Sequence, residues 1–411
     1  MRAYRVLSSL VHGLVYPYGR IKAARGDALW RGRLALIEAT GPNDIWIHAA
    51  SVGEVGVIGS LVDSLRRARP SITIHSTVTT RAGYQAAARL GETVSRSFLP
   101  IDSPSLVRRS LDLIAPRALV IAETEIWPNL ITKAAGRNIP VILVNGRMSE
   151  KAFARYRRFD GVLRAVLKRY DRLFLKTESD LARYRHFGVP DSRASVAGDM
   201  KFDAPLRDKT PDGVAQIRAA AGISADEYLL VAGSTRPGEE DLLVGACTEL
   251  RHRFPNLRLL LAPRHLERLE EVLGGIRKQG VTCRLFGWPD GSPADVIVVD
   301  RMGILNDLYL AADVAFVGGT LVDLGGHNLL EPVWAQTPVI YGPSLHNVIE
   351  AAAYIEKNNL GVRVNSIEEL ATVVAAMIEG RRSFATKTKE DTLNSPTTVI
   401  GKYILEKLAD G

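Results

Sequence analysis

The run DVAFVGGTLVDLGGHNLLEP, Asp313 to Pro332, gathers residues that could act on a phosphorylated ligand. Asp313 to Val317 reads as a short buried strand, the pairs Gly318-Gly319 and Gly325-Gly326 follow, and Asn328 opens an apolar helical run. Paired glycines let the backbone approach a ligand closely. A helix N-terminus offers unpaired N–H groups and the positive end of a dipole, so the expected guest is a phosphate. Glu331, one turn in, can accept hydrogen bonds from the vicinal hydroxyls of a ribose. The same residues also make plain structural sense: Asn328-x-x-Glu331 matches a capping box, and glycine pairs make tight turns.

Other turns carry related chemistry. AASVGEVG places Ser51, Gly53 and Glu54 after an apolar run. A carboxylate at the mouth of a sheet can take a proton from a substrate hydroxyl, while Ser51-x-x-Glu54 equally matches a capping box. ETEIWPNL carries Glu123 and Glu125, a pair that could bind a metal or steady a positively charged transition state, with Pro128 suited to a first helical turn. GSTRPGEE offers Gly233, Ser234 and Thr235 to a phosphate or to the helix starting near Glu239. In APRHLER, Arg264 is placed to meet a base or phosphate, and His265 reads as a packed histidine. DRMGILND adds the turn Met302-Gly303-Ile304. The convergence of these turns on one sheet edge argues for nucleotide binding in the second half of the chain. No G-x-x-x-x-G-K-[ST] loop and no D-x-D pair occurs, which speaks against a P-loop enzyme and a metal-dependent glycosyltransferase.

Such turns need strands to position them. Apolar runs at Ile45–Ala49, Thr73–Val78, Ala118–Ala122, Val141–Asn145 and Arg172–Lys176 alternate with helical stretches, which specifies a parallel sheet covered on both faces. A second series follows at Tyr228–Gly233, Leu257–Ala262, Val296–Val299, Val314–Val317 and Val339–Tyr341. Between them, Val196 to Pro211 has the composition of a linker, and Lys201 lies in it. Ligands of such sheets bind at the carboxyl ends of the strands, where all the turns above fall.

The chain of 411 residues has room for two domains, and its 24% charged and 46% hydrophobic residues are ordinary for a globular protein. The net charge of +8 points to an anionic partner. Arg147, Lys151, Arg155, Arg157 and Arg158 supply much of it, as an anion-binding or merely solvated face. Cys247 and Cys283 sit in no C-x-x-C context, which suggests a reducing compartment and no structural zinc. Val6 to Tyr18 is too interrupted to span a membrane, which takes ~20 apolar residues, and lacks the cleavage site of a signal peptide. Leu7, Leu10, Val11, Leu14 and Val15 share a helical face opposite Ser8, Ser9 and His12, flanked by Arg2, Arg5, Arg20, Lys22 and Arg25. That pattern suits a helix lying in a membrane interface or packed on the protein's own surface.

WIHAASVGE, ETEIWPNL, NGRMSEKA, GDMKFD, GST-R-GEE, PRH-ER, MG-L and FVGGTLVDLGGHNLLEP stand in one order over roughly residues 45–345. The series resembles the Kdo transferases, which attach 3-deoxy-D-manno-octulosonic acid (Kdo) from CMP-Kdo to the lipid A precursor. The resemblance implies an α/β chain of GT-B fold, with two Rossmann-like domains facing a central cleft. Residues 1–30 would form a membrane-associating segment, 31–200 the acceptor domain, and 201–411 the CMP-Kdo domain with a C-terminal helix crossing back to the first. It further implies inverting, metal-independent transfer in lipopolysaccharide synthesis at the cytoplasmic face of a bacterial inner membrane, no cofactor beyond the donor, and no nucleic-acid partner. By the same resemblance Glu54 is the proton acceptor, and Glu123 and Lys201 stabilise the transition state. CMP would be held by Pro263, Arg264, Met302, Gly303, Ile304, Asn328, Leu329, Leu330 and Glu331. The alternatives are another GT-B enzyme, such as a nucleotide-sugar epimerase, and a non-catalytic nucleotide-binding protein, against which the retention of Glu54, Glu123 and Lys201 argues. The N-terminal segment is shorter and more amphipathic than that of many relatives.

Overall fold

A computed structural model describes residues 1–203, 206–287 and 294–410. The chain forms two compact units, Met1–Ala204 with Leu393–Gly411, and Pro205–Thr392. The join therefore falls a few residues after the expected boundary at 200/201, and Lys201 belongs to the first unit.

In the first unit the strands are β1 (Asn43–His48), β2 (Ile74–Val78), β3 (Val94–Phe98), β4 (Pro116–Ala122), β5 (Val141–Gly146), β6 (Arg172–Leu175) and β7 (Ala194–Val196), in the spatial order β3-β2-β1-β4-β5-β6-β7. Every pairing is parallel. Buried apolar runs explain the central strands: Ile45, Trp46 and Ile47 are at most 1% exposed, and each such side chain stabilises the fold by ~1.5–3 kcal/mol. The order reverses between β1 and β4, and the crevice there receives the turns that follow those two strands.

The second unit repeats the plan with β8 (Tyr228–Thr235), β9 (Leu257–Pro263), β10 (Cys283–Leu285), β11 (Val296–Val298), β12 (Val314–Val317), β13 (Val339–Tyr341) and β14 (Gly361–Arg363), in the order β10-β11-β9-β8-β12-β13-β14. Its switch point lies between β8 and β12, whose register pairs Gly233 with Val317. The turns after β8 and β12 are thus neighbours in space.

The C-terminal helix, Pro396–Asp410, packs on the Val52–Ala68 helix of the first unit and buries Ile400, Ile404 and Leu408. Asp203 Oδ2 accepts the Thr397 N–H at 2.7 Å, and the Tyr403 hydroxyl donates to Asp171. At the other end of the chain, Arg2–Ala24 is one helix. Its polar side docks: the Tyr4 hydroxyl donates to Asp102 at 2.9 Å, Asn129 Nδ2 to Ser8 Oγ at 3.0 Å, and His12 meets Ser103 at 3.3 Å. Val6, Leu7, Leu10, Val11 and Leu14 are left exposed, Leu14 to 82%.

Candidate active site and nucleotide cavity

At the switch point of the first unit, β1 ends at His48, and extended Ser51 caps the Val52–Ala68 helix. Ser51 Oγ accepts the Glu54 N–H at 3.5 Å and donates to Glu54 Oε1 at 3.2 Å, while the Ala50 N–H donates to Glu54 Oε2 at 2.8 Å. Glu54 is therefore a capping residue. It is also half-buried and faces a negative field. Burial pushes its pKa up from 4.5 to about 7; the Glu123 and Glu125 carboxylates add to the rise, and the Ala50 N–H and Ser51 hydroxyl oppose it. A capping geometry and a raised proton affinity coexist here, because the cap orients the group whose proton affinity the surroundings raise.

Glu123 follows β4 with a left-handed backbone (φ 56°), and its N–H donates to Val144 O at 2.9 Å. Its carboxylate pairs with Arg147 Nε at 2.9 Å, which takes that arginine from the expected basic face. Glu125 Oε2 lies 3.9 Å from His48 Nε2, a buried nitrogen with no hydrogen-bond partner among the described residues. Burial lowers the pKa of the Arg33 guanidinium, and Glu125 offsets part of that. Among the described residues no group of three His, Cys, Asp or Glu is arranged to hold a metal ion. Lys201 occupies no linker. It sits in the short turn of helix Met200–Phe202 packed on the Val52–Ala68 helix, with its N–H donated to Asp199 Oδ1 at 3.0 Å.

In the second unit a cavity of about 370 Å3 opens at the carboxyl edge of the sheet. Ser234 at the end of β8, Arg264 after β9, Met302 and Gly303 after β11, and His327, Asn328 and Glu331 after β12 line it. Gly318 is required where these turns meet, since a Cβ there would stand 2.3 Å from Ser234 O. Asn328 Nδ2 donates to Glu331 Oε1 at 3.2 Å, and Asn328 Oδ1 accepts the Leu330 N–H at 3.1 Å. Burial raises the Glu331 pKa, and Asn328, Arg264 and Arg207 pull it back.

The expected apolar helix from Asn328 is corrected to a short one, Leu330–Trp334. Barely more than a turn carries little dipole, so cationic side chains must supply most of any attraction for a phosphate. Pro263, Leu329 and Leu330 are buried, Ile304 is half-buried, and none of the four lines the cavity. Arg236 donates from Nε to His327 Nε2 at 3.0 Å and from Nη1 to His265 Nε2 at 2.5 Å. The residue pattern gave no role to Arg236 or His327, although His327 stands between the second glycine pair and Asn328. Its position in that loop was the available signal.

A family model described as 3-deoxy-D-manno-octulosonic-acid transferase (kdotransferase) matches residues 28–204. The 3-deoxy-D-manno-octulosonic acid transferase of Haemophilus influenzae is 32% identical over 346 residues, 83% of this chain and 81% of that protein. The chain belongs to the Kdo transferase family. This Kdo transferase is also 32% identical over 347 residues to a bifunctional glycosyltransferase/methyltransferase of Fusobacterium nucleatum, where the match takes in 82% of the chain and about half, 53%, of the relative. Among solved structures, a UDP-GlcNAc 2-epimerase from Neisseria meningitidis bound to UDP-GlcNAc aligns over 89% of the chain and all of its own, with TM-score 0.51 and 15% identity, a likeness of fold alone. The Kdo transferase is a glycosyltransferase of GT-B fold, and its two seven-stranded parallel sheets are the Rossmann-like pair that the motif series implied.

Proposed function

We propose that this Kdo transferase moves Kdo from CMP-Kdo to a lipid A precursor, by inverting substitution that needs no metal. The observation that carries the reading is Glu54, a carboxyl brought to about pKa 7 in the crevice between β1 and β4. A base works best when its pKa lies near the working pH. The acceptor hydroxyl oxygen attacks the anomeric carbon, Glu54 takes its proton, and the bond from that carbon to the phosphate oxygen breaks with its electron pair leaving on CMP. Attack from the side opposite CMP inverts the configuration. Glu123 and Lys201 are assigned to steadying the transition state.

The donor reading rests on the second-unit cavity. Asn328 and Glu331 are suited to the ribose hydroxyls, Arg264 to a phosphate, and the Met302-Gly303 turn to the base. The lipid acceptor brings the enzyme to the cytoplasmic face of the inner membrane. Supporting this is a helix that turns Leu7, Leu10, Val11 and Leu14 outward beside Arg2, Arg5, Arg20 and Lys22. Among the described residues no helix is long and apolar enough to cross a membrane. Purified protein incubated with CMP-Kdo and lipid A precursor, with and without a chelator, tests the whole reading. CMP release with a lipid mass increase of Kdo is expected in both; CMP release without lipid product, or none at all, would overturn it.

A further inference from the structure

Among the described residues the Arg236 side chain meets two imidazoles, His327 and His265, and forms no ion pair with a carboxylate. The charge of Arg264, in the same cavity, acts on Glu331 without a close ion pair among the described residues. A guanidinium N–H can only donate, so each imidazole presents a lone pair at Nε2 and, while neutral, carries its proton at Nδ1. His265 Nδ1 lies 3.1 Å from Glu267 Oε1, a carboxylate placed to face that proton. His327 Nδ1 has no protein partner among the described residues, and His327 lines the cavity beside Arg264 and Ser234.

We infer that Arg236 positions His327 as a neutral Nδ1–H donor which, with Arg264, forms an oxyanion contact in the nucleotide cavity. The inference rests on the proposed reading of that cavity as the nucleotide-sugar site. Its ligand is an anionic oxygen of the donor, on the phosphate or on the carboxylate of the sugar acid.

The arrangement is held from both sides. Glu239 Oε2 accepts the N–H of Arg236 at 3.0 Å and that of Gly319 at 2.8 Å, and the His327 N–H donates to Gly318 O at 3.2 Å. Gly319 leaves room for the ring: a Cβ there would come within 3.2 Å of His327 Cδ2. Burial, then Arg236, Arg264 and His265, hold the His327 pKa below its ordinary 6.5, which keeps the ring neutral and the lock closed. A preoriented donor costs no reorganisation as negative charge grows on the leaving phosphate.

Binding of CMP, cytidine and free Kdo to the full chain, measured by calorimetry, tests the contact. His327→Asn keeps an N–H near the Nδ1 position, whereas His327→Gln moves it toward Nε2 and Arg236→Met removes the lock. If phosphate is the ligand, CMP affinity falls about tenfold or more in His327→Gln and Arg236→Met and little in His327→Asn, with cytidine unchanged throughout. If the sugar carboxylate is the ligand, free Kdo shows that pattern and CMP does not. Nitrogen NMR of histidine-labelled wild type, which needs no variant, should show His327 protonated at Nδ1. Proton at Nε2, or wild-type affinities for both ligands in folded His327→Gln, would overturn the inference. Wild type that binds neither CMP nor Kdo would instead overturn the reading of the cavity.

Discussion

Glu239 and Gly319, eighty residues apart, are joined by a 2.8 Å hydrogen bond from the Gly319 N–H to Glu239 Oε2. The same carboxylate accepts the N–H groups of Thr320 at 3.1 Å, Leu321 at 3.0 Å and Arg236 at 3.0 Å. Four backbone donors thus converge on one fully buried side chain, which ties the turns after β8 and β12 together. Glu239→Gln leaves at least one of these donors unsatisfied, so unfolding in urea should show a loss of ~1–3 kcal/mol. An unchanged midpoint would mean that the turns hold themselves.

For Glu54→Gln we expect turnover to fall by ~10²–10⁴ with CMP-Kdo binding retained, because glutamine keeps the cap and cannot take the proton. In wild type the rate should drop as pH is lowered below about 7, where Glu54 becomes protonated. A near-wild-type rate in the variant would leave Glu54 with capping alone.

The same residue links stability to pH. Its folded pKa is raised from 4.5 to about 7, so between those values the folded state holds more protons than the unfolded, and stability falls as pH rises through the window. Thermal melting of Glu54→Gln should gain on wild type at pH 8 relative to pH 4. A constant difference across that range contradicts the buried, negatively flanked carboxyl.

Arg264→Ala and Glu331→Ala should each weaken CMP binding about ten- to a hundredfold, the cost of a lost charge-assisted hydrogen bond. Glu331 also receives a hydrogen bond from Asn328. Melting must therefore be followed beside binding. Unchanged affinity in a folded variant would move the nucleotide elsewhere.

The N-terminal helix should hold the enzyme on anionic vesicles, with each basic residue near the surface adding about 1 kcal/mol, screened by salt. Sedimentation with liposomes should show binding that weakens in high salt and on removal of residues 1–20. Equal binding to neutral and anionic vesicles would refute the electrostatic part, and no loss on truncation would acquit the helix.

The sequence alone determined the two parallel sheets, because central strands buried on both faces must be continuous apolar runs, as at Ile45–Ile47 and Leu259–Leu261. It did not reveal the edge strands Val94–Phe98, Ala194–Val196, Cys283–Leu285 and Gly361–Arg363. These are short or mixed in polarity, and their strand character comes from the neighbour they pair with. Strand-to-helix turns were legible as candidate sites because a parallel sheet offers ligands its carboxyl edge. Glu54, Arg264 and Glu331 could be named from local spacing for that reason. Only the tertiary structure decided the proton affinity of Glu54, which depends on burial and on carboxylates some seventy residues away. It alone decided that Leu329 and Leu330 face the core. The tautomer of His327 was likewise out of reach of spacing, since the guanidinium that sets it lies 91 residues earlier in the chain.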